Sequence, residues 1–163
     1  MLPAIGEQVE NDAVGSPLET ELWQIYAQWA QDEVAIVGVV ALYHLWERQA
    51  KTLFDEQFGR LGRPVPRRST DTVTWAKGNL VALDSAVDDA ALWAALEEAR
   101  RVTNCFKHGL DGDYEALERD YPVYFVGGAR EAQSRFRVPA ADLERLCAEV
   151  SRFWEEVPHT LVG

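Results

Sequence analysis

Between Leu18 and Phe58 the apolar residues Leu22, Tyr26, Trp29, Ile36, Val40, Tyr43, Ala50, Phe54 and Phe58 recur at steps of three, four or seven. That period is helical, and only Gly38 interrupts it. The pattern predicts one long helix, or two nearly collinear ones meeting around Gln31–Glu33. Ser16-Pro17 supplies a cap followed by proline at the first helical position, and Gly59, Gly62, Pro64 and Pro66 end the segment in a basic loop. Ser69 to Asp71 can cap a second helix over Thr72 to Val87. Asp88 or Asp89 can start a third that runs to His108, with Gly109 placed as a terminating glycine. The stretch DGDYEALERDYP predicts a short helix capped by Asp113 and halted by Pro122, and Val123 to Val138 an irregular linker with a little extended structure. Pro139 opens a last helix whose apolar stripe is Leu143, Leu146, Val150, Phe153 and Val157. No internal repeat or alternating strand pair occurs. The prediction is an all-α helical bundle with a long N-terminal helix, a flexible leader over residues 1–15 and a single helical domain over 16–163.

The third helix carries the chemistry. At about 100° per residue, Leu92, Ala95, Leu96, Ala99, Val102, Thr103, Phe106 and the trailing Leu110 fall on one side and predict a core face. The opposite side collects Trp93, Glu97, Arg100, Arg101, Asn104 and His108, with Lys107 on the flank. This second face has two readings. As a solvated surface, its cations sit in the last turns because the helix dipole favours them there; a tryptophan on a wet face, however, marks a contact surface, which makes Trp93 a candidate interface residue. As a site, His108 can take or give a proton near neutral pH. Arg101, or Arg100, can hold a phosphate through paired donors, and Asn104 can orient either group. Those are the parts of a metal-free ribonuclease, with no metal and no cofactor required.

Charge limits what such a site can be. The 163-residue chain has a formal net charge of −11, so it cannot coat nucleic acid through a broadly basic surface. A local phosphate pocket is compatible, because the arginines cluster. GRLGRPVPRRS supplies Arg67 and Arg68 as further backbone contacts beside Arg100 and Lys107.

The most apolar window, VAIVGVVALYHLW, is short and flanked by Asp32, Glu33 and Glu47, which excludes a membrane span. With no signal-like N-terminus and two cysteines outside any metal-ligand spacing, the expected location is the cytoplasm. Cys105, between apolar neighbours, predicts a packed, inert thiol. Asp111, Asp113, Glu115 and Glu118 lack the spacing of a calcium loop. His44 is expected at the edge of the core.

The string Arg101-Val-Thr-Asn-Cys-Phe-Lys-His108 resembles the arginine–spacer–histidine motif of HEPN domains. Those all-helical proteins are usually dimeric, and many are RNA-cleaving toxins or defence effectors. EARRVTNCFKHG, with DYEALERDYPVYF and DLERLCAEVSRFWEEV, is also similar to a set of bacterial proteins carrying an arginine, an asparagine and then Lys-His-Gly. The resemblance implies a homodimer with a shared cleft and RNA as substrate. In that cleft His108 is the acid or base, Arg101 the phosphate holder and Asn104 the orienting group; a cognate antitoxin is an implied partner. The alternative is a non-catalytic helical module that uses the same face to dimerise or to bind another protein.

Overall fold

Helix α1 covers Pro17–Arg60, the first of the two arrangements expected for this segment. Pro17 stands first in it, where the missing N–H costs no hydrogen bond. The helix closes where the Gly62 N–H donates to the Gly59 carbonyl (3.0 Å) and the Arg63 N–H to the Phe58 carbonyl (2.9 Å). That pair of bonds needs a left-handed residue, and Gly62 takes φ +62° without strain.

The computed structural model describes residues 17–67, 71–85, 87, 89–127 and 135–160. The leader expected over 1–15 lies outside the described residues, as do Ser16, Arg68, Ser69 and Asp88. The chain falls into two units, Met1–Ala30 and Gln31–Gly163; the span 16–163, expected from the sequence as one domain, crosses that boundary.

Helix α2 covers Thr72–Ala82. Its cap is Asp71, whose Oδ1 accepts from the Val73 N–H (3.0 Å) and the Thr74 N–H (3.1 Å). It stops five residues short of the expected Val87 because Asp84 enters the left-handed region at φ 53°. The Ser85 N–H then turns back to the Leu80 carbonyl (2.9 Å). Helix α3 covers Ala90–His108 with Asp89 as its cap and left-handed Gly109 (φ 59°) as its terminator, both as expected.

Helix α4, Asp111–Asp120, begins before the predicted cap. Asp113 lies inside its first turn, where the helix dipole favours acids. A 3₁₀ turn, Pro122–Tyr124, follows. The extended structure expected downstream is one antiparallel bridge between Phe125 and Phe136. Helix α5 covers Ala140–Thr160.

In the second unit, Ile36, Val39, Tyr43, Trp46, Ala50, Phe54 and Phe58 of α1 are buried. Aromatic edges join the helices: Phe153 of α5 meets Trp46 at 5.6 Å and Trp93 at 6.0 Å, and Phe54 meets Trp75 at 5.2 Å. Of the expected α5 stripe, Leu146, Val150, Phe153 and Val157 are buried and Leu143 partly so. Leu143 approaches α1 at Gly38, where an added methyl would lie 2.6 Å from its Cδ2. In the first unit, Leu22, Tyr26 and Trp29, which share the helical period of the same series, are exposed.

Candidate functional site

Helix α3 positions the candidate residues, and α4 closes one side. Arg100, Arg101 and Asn104 of α3 line an open polar depression of about 260 Å³ with Asp113, Ala116 and Arg119 of α4. The arginines are held by carboxylates. Glu97, one turn back on α3, accepts from Arg100 Nε (2.8 Å), Arg100 Nη2 (2.7 Å) and Arg101 Nε (2.9 Å). Arg101 Nη1 donates to Asp120 at the end of α4, and Arg119 Nε donates to the same carboxylate (2.9 Å). Asp71, the α2 cap, stands 3.9 Å from Arg100 Nε.

These pairs set the local electrostatics. Burial pushes the Glu97 carboxyl up, but the hydrogen bonds and charges of Arg100 and Arg101 outweigh it and bring it below its ordinary value. The hydrogen bond to Glu97 is the main reason that both guanidiniums are held more firmly protonated than usual. Arg119 and then Arg101 hold Asp120 low. The depression therefore carries no excess of positive charge: Arg100, Arg101 and Arg119 are set against four carboxylates, Glu97, Asp113, Asp120 and Asp71.

Of the sequence candidates, Arg101, Asn104 and Arg100 come together. His108 is exposed one turn beyond Asn104 and is not among the residues lining the depression. Lys107 is exposed on the flank that faces α1, where its charge, after burial, helps to lower the His44 pKa. His44, the expected core-edge histidine, also meets Glu47 through Nδ1 (3.3 Å). Arg67 is exposed in the loop after α1, and Arg68 falls outside the described residues.

Trp93 requires a correction, because it is buried at 9% exposure rather than standing on a wet face. Its indole N–H donates to the Val87 carbonyl (3.0 Å) and Lys77 lies over its ring at 5.1 Å. The turn before α3 and the flank of α2 cover this edge of the helix. Phe106 and Leu110 are reversed in the other sense, 47% and 62% exposed where a core face was expected. Cys105 is buried, as its apolar neighbours predicted, and desolvation pushes its thiol up to about 12.

Glu97, Asp120 and Arg119 were missed as site residues. The spacing of Glu97 from Arg100 and Arg101, three and four residues, was a usable local signal. Asp120 had none, because its meeting with Arg101 depends on how α4 folds back. Among the described residues, no group of three or more histidine, cysteine, aspartate or glutamate side chains could hold a metal ion. No helix among them is long and apolar enough to cross a membrane. No protein-family model, curated protein or solved structure matches this chain.

Proposed function

We propose that this chain is a HEPN-like protein that holds a single RNA phosphate in the depression between α3 and α4. The observation that carries the proposal is the gathering of three arginines and Asn104 around one opening, with Arg100 and Arg101 both oriented by Glu97. A guanidinium held by a carboxylate has its fork fixed in advance, so less freedom is lost when an anion binds. Asn104 offers a neutral amide beside them. His108, next in the row, is the group that would move a proton in metal-independent cleavage. A second copy would bring the opposing arginines and histidine.

Charge balance narrows the mode of binding. A depression with no excess of positive charge, on a chain of net charge −11, cannot track a phosphate backbone. It suits one phosphate contact, with a slope of log affinity against log salt of about −0.7 on single strands.

The test is RNA cleavage in excess EDTA by the parent, His108→Ala and Arg101→Ala proteins, each checked for folding by circular dichroism, with filter binding alongside. Parent-only cleavage is the expected result. Binding that survives Arg101→Ala removes the depression from the proposal. Binding without cleavage leaves a phosphate-binding protein and removes His108 from a proton-transfer role.

The same charge balance favours a second reading, a non-catalytic helical module. On that view the ion pairs are the rim of a dimer or partner contact, and the parent binds no RNA.

A further inference from the structure

The first unit, Met1–Ala30, holds a feature that the phosphate site leaves unexplained. Leu22, Trp23, Tyr26, Trp29 and Ala30 follow the spacing that gathers side chains on one side of a helix, and they line a single apolar concavity on α1. Trp23 is 74% exposed, Tyr26 60%, Trp29 51% and Leu22 45%. Isolated surface apolar residues are ordinary, whereas a contiguous aromatic row marks a contact surface.

Area and charge together identify the occupant. With about 150–250 Å² per aromatic side chain, the three rings leave on the order of 300–450 Å² open. Two copies meeting face to face would bury on the order of 600–900 Å² from these rings, below the roughly 1,200 Å² of the smaller stable interfaces. At that size the sign of the flanking charge decides between partners. Within the first unit, the helix that carries these rings, from Pro17 to Ala30, has Glu19 and Glu21 and no lysine, arginine or histidine, on a chain of net charge −11. A second copy would bring like charges together, whereas a basic partner turns the same residues into attraction.

We infer that this face docks an amphipathic basic helix of another protein. The partner's apolar residues, at three–four spacing, lie on Trp23, Tyr26 and Trp29, and lysines or arginines flank them, the helix-in-groove mode of recognition. The inference stands apart from the phosphate site, since none of these residues lines the depression.

The experiment uses full-length protein and a labelled synthetic peptide with leucine at three–four spacing and lysine elsewhere, followed by fluorescence anisotropy. A second peptide carries glutamate in place of each lysine. The lysine peptide is expected to bind and the glutamate peptide to fail. Affinity for the lysine peptide should drop at least about tenfold in the double variant Trp23→Ser/Trp29→Ser, because truncating aromatic anchors removes most of the binding energy. That variant keeps the charge of the parent, and circular dichroism checks its fold; Tyr26→Ser is the single-site version. Undiminished binding to the variants would show bulk attraction to an acidic protein and overturn the inference. So would failure of the lysine peptide to bind the parent, or equal binding of the glutamate peptide. A parent dimer in light scattering that the double variant dissolves would assign the face to a second copy, which overturns the inference as well. RNA binding should be unchanged in the double variant, so failure here leaves the phosphate site standing.

Discussion

Glu97 and Glu98 are neighbours on α3, and both hold arginine, yet they do opposite work. The Glu98 side chain is 7% exposed. It accepts from Arg145 Nη2 (2.6 Å) and Nη1 (3.2 Å) of α5 and from the hydroxyl of Tyr124, itself fully buried. Burial, then the hydrogen bond to Glu98, raises the Tyr124 pKa and keeps the phenol a donor. This cluster joins α3, α5 and the 3₁₀ turn.

Glu97 is 27% exposed and holds Arg100 and Arg101 beside an open depression. There solvent screens the pairs, and a guanidinium can exchange a carboxylate for an incoming anion. The same two functional groups make a structural joint where water is excluded and an exchangeable site where it is not.

Breaking the buried half should have the largest effect. Glu98→Ala leaves the buried Tyr124 O–H without its acceptor, although its oxygen still accepts from Arg145 Nη2 (3.3 Å), and Arg145, 44% exposed, keeps Asp142 and water. The expected loss is about 2–3 kcal/mol, read from urea unfolding. A double-mutant cycle with Tyr124→Phe should show coupling between the two sites. A loss no greater than that of Glu97→Ala would erase the contrast.

Acid should act next, through the open half. The folded Glu97 carboxyl lies below its ordinary value of 4.5. Its contribution to stability is therefore complete above the unfolded value and is lost as pH falls through the folded one. Unfolding free energy measured downward from pH 6 should fall less steeply below about 4.5 in Glu97→Gln than in the parent.

Glu97→Ala at neutral pH should cost only about 0–1 kcal/mol, while RNA affinity falls because both arginines lose their orientation. The smallest effect sharpens the site's electrostatics. Asp120→Asn removes a carboxylate that competes for Arg101, so RNA affinity at low salt should rise about two- to threefold. A fall would mean that Asp120 positions Arg101 more than it competes for it.

How much of this was legible in the chain follows from the range of each interaction. Asp89 and Gly109 bracket α3 through bonds to residues two to four positions away, so local reading located both ends. Asp84 ended α2 early because aspartate tolerates the left-handed region, and no stronger punctuator such as glycine or proline marked the spot. Arg100, Arg101 and Asn104 share a face by periodicity alone, and they do line one depression.

The sequence by itself determined which segments are helical, the Asp71 and Asp89 caps, the Gly109 terminator and the angular positions of side chains around each axis, because those depend on neighbours within about one turn. Only the tertiary structure decided which arc of each helix is covered. Trp93 is buried because Val87 and Lys77 reach it, Phe106 is exposed where its helix face predicted core, and Glu98 is paired with residues 26 and 47 positions away. A helical period fixes direction, but burial is set by what another segment places in that direction.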